Sequence, residues 1–429
     1  MKAPELLAPA GTLKNLRYAV AYGADAVYAG MPRYSLRVRN NDFNHYENLA
    51  QGVREAHDKG SQFFLACNVL PHNAKVKTFL ADIESAIELN PDALIMADPG
   101  LIMQVRERWP DIAVHLSVQA NTVNYASVKF WQSLGLKRVI LSRELSLDEI
   151  AEIRQECPDM ELEVFVHGAL CIAYSGRCLL SGYFNHRDAN QGSCTNSCRW
   201  EYDIKKAETD VTGDVVAKNL QPSSSDVYLI EEQERPGELM PIEEDEHGTY
   251  IMNSKDLRAV EHVEKLVKLG VDSLKIEGRT KSHYYVARST QIYRKAIDDA
   301  VAGRSFDPSL LGELENLANR GYTDGFFMRH HSHEYQNYMD NHSRSYQQRF
   351  VGEIVGFQNG MAEIEAKNKF AVGDEMELIL PTQNKKFILE HVEDMKGNAM
   401  QEVPGGGHRI CIPLDAGEYE MGLLARNEK

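Results

Sequence analysis

The sequence predicts an α/β protein: a TIM-like (β/α) barrel followed by a small antiparallel β-barrel domain. Three observations carry this expectation. Eight short apolar runs alternate with helical patterns over about the first 280 residues, the rhythm of a parallel sheet with helices outside it, and eight is the number at which such a sheet closes. A polar stretch at about 199–248 then interrupts the rhythm. Beyond residue 350 the pattern changes to short alternating runs separated by Gly, Asn and Asp turns.

The eight runs are Glu5 to Ala8, Ala24 to Ala29, Gln62 to Asn68, Ala93 to Ala97, Ala113 to Ser117, Arg138 to Ser142, Glu163 to His167 and Ser273 to Glu277. A ninth, Thr249 to Asn253, competes for a place in the barrel or belongs to the insertion. Between them Asn15 to Tyr22, Lys75 to Leu89, Leu147 to Glu156 and Leu257 to Leu269 carry apolar residues at three and four spacing. Ser146-Leu147-Asp148-Glu149 offers an N-cap with acids in the first turn. Helices are expected over Tyr284 to Ala302 and Leu310 to Asn319. The domains expected are thus a barrel over 1–329, a linker over 330–349 rich in His and Tyr, and a β-domain over 350–429.

The chain of 429 residues is long enough for a large core, and no uncharged apolar stretch approaches the roughly 20 residues of a membrane span. It opens at Met1-Lys2-Ala3-Pro4-Glu5 with no apolar leader after it, so the reducing cytoplasm is the expected compartment. The net charge of −16 argues against a polyanionic partner, but Glu231 to His247 holds eight acids against the single base Arg235. A local basic surface elsewhere stays compatible with that balance, and the acidic run reads as a solvated loop.

Four of the seven cysteines crowd together as Cys171-x6-Cys178-x15-Cys194-x3-Cys198, while Cys67, Cys157 and Cys411 stand apart. Cys171 follows the seventh apolar run, at the mouth of a strand. Four thiolates at such spacing suit an iron–sulfur cluster or zinc. Disulfides and four unrelated buried thiols are the bland alternatives.

Barrel active sites lie at the carboxyl ends of the strands, so the residues ending each run are the candidates. They include Arg37 and Arg39, Asn68, Gln119 and Asn121, Arg143, Lys255, Lys275, Glu277 and Arg279. Converging arginines bind carboxylate or phosphate through two-pronged hydrogen bonds, which points to an anionic organic substrate; structural ion pairs such as Arg143–Glu144 and Lys275–Glu277 are the competing explanation. His167, four residues before Cys171, reads as a ligand, a general base or a satisfied polar residue at a strand end. The histidines His330, His331, His333 and His342 and the run Gly405-Gly406-Gly407 read as linker and turn. A cysteine peptidase pairing a thiol with His167 is the rival function, though a nucleophile needs one cysteine, not four, and no Gly-x-Ser-x-Gly or His-Glu-x-x-His motif offers another route.

Glu163-Val164-Phe165-Val166-His167-Gly168-Ala169-Leu170-Cys171, continuing to Ser181, resembles the signature of peptidase family U-32, the collagenase-like group. Pro4 to Gly11, Tyr34 to Arg39, Leu116 to Asn121, Leu141 to Leu145, Asn253 to Leu257 and Leu274 to Arg279 resemble the same family. Over nearly its full length the chain is similar to a branch that hydroxylates tRNA. That resemblance implies a tRNA uridine hydroxylase making 5-hydroxyuridine at the wobble position, the first step toward 5-carboxymethoxyuridine, with prephenate as co-substrate or effector, the anticodon loop as partner, and dependence on the iron–sulfur assembly machinery. It also implies Cys171, Cys178, Cys194 and Cys198 as ligands of a 4Fe-4S cluster, with zinc the alternative. Some relatives place a ligand cysteine where this chain has Arg258, which leaves Cys198 as the fourth. The expected catalytic residues are His167, Glu277 and Tyr174, and Tyr34, Tyr174 and Trp200 are candidates for stacking on an unstacked base. A metallo- or cysteine peptidase and a non-catalytic tRNA scaffold are the other function classes.

Overall fold

The computed structural model describes residues 2–36, 41–171, 173–174, 177–178, 255–319, 321–328 and 348–428, with the backbone of five short strands between 207 and 250. Eight parallel strands form the barrel: β1 (Glu5–Pro9), β2 (Ala26–Gly30), β3 (Gln62–Cys67), β4 (Ala93–Met96), β5 (Ala113–Leu116), β6 (Arg138–Ile140), β7 (Glu161–Ala169) and β8 (Ser273–Ile276). Each pairs with its successor, and β8 pairs with both β7 and β1, which closes the ring. β2, β4, β6 and β8 are buried at every position, as strands covered on both faces must be. That is why the expected runs and the observed strands coincide so closely.

The connecting helices are α1 (Leu13–Ala21), α2 (Tyr46–Asp58), α3 (Asn73–Ile87), α4 (Pro99–Arg108), α5 (Tyr125–Ser133) and α6 (Leu147–Glu156), then α7 (Val263–Leu269), α8 (His283–Val301) and α9 (Ser309–Glu315). Their starts are chemically specified. Thr12, Asp98, Asn124 and Ser282 each accept a hydrogen bond from a first-turn amide, and Ser146 forms a capping box with Glu149.

Two expectations need correction. The helix expected from Leu257 starts only at Val263, because β7 runs beyond the barrel and its protruding end takes Asp256–Arg258 as an antiparallel partner (Leu257 opposite Gly168). Ladder hydrogen bonds to an exposed edge outweigh local helical spacing there. Of the ninth run, whose residues 251–253 lie outside the described residues, Gly248–Tyr250 fits the expected place in the insertion by pairing with Leu239–Asp245. That strand and Tyr228–Glu231 also take up Glu231, Glu243, Glu244 and Asp245, so the acidic run is partly sheet, not simply loop.

The C-terminal unit is an antiparallel sheet with strand order β12-β11-β15-β9-β10-β14-β13, built from β9 (Gln348–Gln358), β10 (Met361–Ala366), β11 (Glu375–Ile379), β12 (Asn384–Ile388), β13 (Glu393–Asp394), β14 (Arg409–Pro413) and β15 (Leu423–Asn427). β10 alternates half-buried and buried positions, the period-two pattern of a strand with one face on a core. That core contains Val351, Ile364, Phe370, Leu378, Ile412 and Leu424. The unit is fastened to α1 and α8. The Tyr22 hydroxyl lies 3.0 Å from both the Ile379 and the Met421 carbonyl oxygens, Tyr284 donates to Gln348 Oε1 at 2.8 Å, and Ile379, Leu423 and Ala425 join the barrel's own core.

Candidate active site at the barrel mouth

The carboxyl ends of the strands enclose a cavity of about 70 Å³ lined by Tyr28, Asn68, Gln119, Arg143, Phe165, Cys171, Lys275, Glu277 and Arg279, among others. Seven residues expected from strand ends are thereby brought together: Asn68, Gln119, Arg143, Cys171, Lys275, Glu277 and Arg279.

Each wall residue is held by a stated contact. Asn68 bridges loops, its Oδ1 accepting from Leu36 N and its Nδ2 donating to Ser117 Oγ, both at 3.2 Å. Arg143 donates from Nη1 to the Ala169 carbonyl at 2.8 Å and lies 3.9 Å over the Phe165 ring. Its buried Nε has no hydrogen-bond partner among the described residues. A buried donor left so costs about 1–3 kcal/mol, and an anion in the cavity would satisfy it. Arg279, 7% exposed, donates from Nη1 to Ser35 Oγ at 2.6 Å and from Nη2 to the Leu36 carbonyl. Glu277 accepts from the Tyr28 hydroxyl at 3.1 Å, and its backbone carbonyl accepts from Tyr285 at 2.8 Å.

Lys275 pairs with Glu163, not with Glu277. Its Nζ lies 2.8 Å from Glu163 Oε1 and 4.3 Å from the Tyr28 ring centre. Glu163 in turn meets Arg138 at 3.1 Å, and Arg138 meets Glu5 at 2.6 Å. Burial lowers the Lys275 pKa against the opposing pull of Glu163, and burial likewise raises that of Glu5 despite Arg138. A charged floor thus underlies the cavity, made by inward-facing residues of β1, β6, β7 and β8. The expected Arg143–Glu144 pair is also absent: Glu144 accepts from Ser142 instead.

His167, near the end of β7, lies apart from these strand-end residues. The ladder between β7 and β8 shifts register after Lys275, so His167 sits opposite Ile276 and its side chain leaves the barrel interior. It packs, 1% exposed, against Tyr285, Tyr293 and Tyr322 with ring centres 5.4–5.7 Å away. Burial, partly opposed by Asp256, holds its pKa at about 3. A neutral imidazole walled off from the mouth is poorly placed to be a general base there.

The close approach behind it depends on glycine. Gly168 has φ +105°, and a Cβ there would lie 2.5 Å from the Glu277 carbonyl oxygen. Asn121 contributes through its backbone, φ 51°, ending the turn Val118–Ala120, a conformation Asn tolerates. Lys255 lies beside Gly321, away from the cavity lining, and Tyr174 is exposed. Arg37, Arg39, Cys194, Cys198 and Trp200 lie outside the described residues.

Sequence reading missed Tyr28, Ser117 and Phe165, which read as strand core, and missed the Glu163–Arg138–Glu5 floor. Period-two alternation in β7 and β8 carried the signal for Glu163 and Lys275, since both fall on the inward face with Phe165.

Among the described cysteines, Cys171 is exposed and lies on the cavity wall, and Cys178 and Cys411 are half-buried. Burial raises the thiol pKa of Cys67, Cys157 and Cys411. An accessible thiol beside a cationic mouth fits a soft-metal group; Cys67 and Cys157, buried, do not, and Cys411 lies on β14 of the C-terminal sheet.

The profile of peptidase family U32 matches residues 11–337, and that of the peptidase family U32 C-terminal domain matches residues 346–426. Tyr28 through Arg279, the whole cavity lining, falls within the first. The chain is 60% identical to tRNA hydroxylation protein P of Escherichia coli (strain K12), covering 100% of this chain and 97% of that one. It is 58% identical to tRNA hydroxylation protein P of Haemophilus influenzae, covering 99% and 96%. A protein named collagenase from Porphyromonas gingivalis is 28% identical over 99% of this chain and 98% of its own. With both profiles and two relatives matched from end to end, this chain belongs to peptidase family U32.

Proposed function

We propose that this chain is a tRNA-hydroxylating enzyme that places a hydroxyl on C5 of the wobble uridine, with its chemistry at the barrel mouth. The observation that carries the reading is the 60% identity, over essentially both full lengths, to a protein named for tRNA hydroxylation. The anion-seeking mouth supports it.

Cys171 and Cys178, with Cys194 and Cys198, would hold a 4Fe-4S cluster; zinc is the alternative. When bound, such a cluster would supply redox chemistry, which suits oxidation of a pyrimidine carbon and which zinc lacks. The chain's own residues do the rest. Arg143 and Arg279 hold a carboxylate of prephenate, the proposed co-substrate or effector, with the buried Arg143 Nε finding its acceptor there. Lys275, anchored by Glu163, sets an amine at the cavity floor. Glu277, fixed by Tyr28, is the carboxylate on the cavity wall placed to take or return a proton. Gln119 and Asn68 offer polar groups to a uracil edge. Tyr174, exposed, offers a stacking face.

The peptidase reading draws on the family's name and the collagenase relative. It needs a thiolate within hydrogen-bond reach of an activating histidine. His167 is instead enclosed by three tyrosines, with Tyr293 Oη 3.5 Å from its Nδ1. Among the described residues, nothing in the site favours it. The test is mass spectrometry of nucleosides from tRNA of a deletion strain. Loss of 5-hydroxyuridine derivatives is expected; their persistence at normal levels sinks the proposal.

A further inference from the structure

We propose that Lys275 is a nucleophile, its amine condensing with the keto carbon of a 2-oxo acid whose carboxylate is gripped by Arg143. This rests on the reading above in one respect, that the mouth takes a carboxylate, and adds a covalent step to it.

Lys275 lines the mouth cavity and is 3% exposed. Alternation along β8 turns it into the barrel, where its Nζ lies 4.3 Å from the Tyr28 ring centre and 5.4 Å from that of Phe165, two rings of the same lining. Ring faces thus stand where an ammonium group would hold water, and such desolvation is what makes a lysine an amine nucleophile. Burial accordingly lowers its pKa, against the pull of Glu163. As a mere counter-charge Lys275 would be redundant, since Arg138 already meets the Glu163 carboxylate at 3.1 Å. Packing does not require it either, because apolar residues of like volume replace a buried ion pair with little or no loss of stability.

Glu163 serves as the base. Its Oε1 lies 2.8 Å from Nζ, within reach of direct proton transfer. When it takes that proton, Arg138 keeps Glu5 at 2.6 Å and Glu161 at 3.0 Å, so no charge is stranded. The amine lone pair then forms a C–N bond as the carbonyl π pair moves to oxygen. That oxygen takes a second proton from nitrogen, then the first back from Glu163, and leaves as water while the nitrogen lone pair closes the C=N bond. One water is lost and nothing is oxidised or reduced. The iminium retains the positive charge of the lysine, over the same two rings.

The substrate class follows from what stands beside the amine. The Arg143 guanidinium carbon lies 3.9 Å from the Phe165 ring centre, so amine and guanidinium share one ring. The buried Arg143 Nε, with no hydrogen-bond partner among the described residues, awaits an acceptor. In a cavity of about 70 Å³ the carboxylate and the carbonyl must be neighbours, as they are in a 2-oxo acid. A plain aldehyde or ketone would leave the arginine unsatisfied.

The test is reductive trapping. Full-length protein is incubated with pyruvate and sodium cyanoborohydride, and the modified lysines are mapped by peptide mass spectrometry. Lys275 should carry the reduced adduct ahead of all other lysines, and Lys275→Arg, shown by melting curves to fold, should lack it. Acetone, a ketone without a carboxylate, should label Lys275 far less than pyruvate. Arg143→Met should raise the pyruvate concentration for half-labelling roughly 10- to 150-fold, the loss of a charged hydrogen bond. No adduct on Lys275, or one spread evenly over surface lysines, overturns the nucleophile. Equal labelling by acetone, or labelling indifferent to Arg143→Met, overturns the 2-oxo acid. Trapping needs no RNA, so the two readings fail separately. No adduct in a chain whose deletion abolishes 5-hydroxyuridine derivatives removes the imine and leaves the hydroxylase. An adduct on Lys275 with derivatives that survive deletion removes the hydroxylase and leaves the imine.

Discussion

Replacing Glu163 by Gln keeps the shape of the barrel floor and removes one charge. Lys275 is 3% exposed and Glu163 0%, so solvent screens neither, and Glu163 serves both Lys275 at 2.8 Å and Arg138 at 3.1 Å. Breaking one side of such a buried pair costs about 3–5 kcal/mol, because the remaining charge is left uncompensated. Arg138 keeps Glu5 at 2.6 Å and Glu161 at 3.0 Å, so the cost falls mainly on Lys275. The pH dependence has a definite sign. A lysine whose folded pKa is lowered from 10.5 binds fewer protons folded than unfolded, so stability rises with pH between the lowered value and 10.5. Without Glu163 that window widens downward, and the penalty is largest near neutrality and shrinks toward pH ~10. Urea unfolding followed by tryptophan fluorescence at both ends of the window measures this. Glu163→Gln with Lys275→Met should recover most of the loss. A cost below about 1 kcal/mol, or one independent of pH, would refute the reasoning.

Other outcomes follow from the same geometry. Arg143→Lys removes the stacked guanidinium and its bond to Ala169; at about 1.5–3 kcal/mol for a charged hydrogen bond, tRNA hydroxylation in cells should fall roughly 10- to 150-fold in rate with folding intact. His167, held at about 3, makes stability fall by about 1.4 kcal/mol per pH unit as pH drops below 6.5 toward 3, since the unfolded chain takes up the proton that the folded one refuses. His167→Gln should flatten that acid limb without abolishing hydroxylation; unchanged acid unfolding contradicts the placement. Gly168→Ala forces a Cβ to 2.5 Å from the Glu277 carbonyl at φ +105°, and soluble yield and thermal stability should both drop. Anaerobically purified protein should contain about four irons per chain, lost on Cys171→Ala, and colourless zinc protein would remove the cluster.

The barrel was legible because parallel strands buried on both faces write continuous apolar runs, as in Ala26–Gly30 and Ala93–Met96. The C-terminal sheet was legible through alternation, as in Met361–Ala366. Asp256–Arg258 escaped notice because its partner is the overhanging end of β7, a pairing that no local pattern encodes. The site was legible where it follows from strand ends: Asn68, Gln119, Arg143, Cys171, Lys275, Glu277 and Arg279 converge because a closed barrel gathers strand ends into one mouth. The outward facing of His167 was not legible because one register shift reverses the facing of the last residues of β7, which left its three alternatives open in the sequence. The Lys275–Glu163 pair joins residues 112 positions apart, and only ring closure brings β7 beside β8.

The central claim is that the mouth cavity is where tRNA is hydroxylated. A deletion strain should be complemented with the unaltered chain and with Arg143→Met, both at verified equal levels of folded protein, and the nucleosides of its tRNA quantified by mass spectrometry. The unaltered chain is expected to restore 5-hydroxyuridine derivatives and the variant to leave them at or near the deletion level. Full restoration by Arg143→Met would contradict the account.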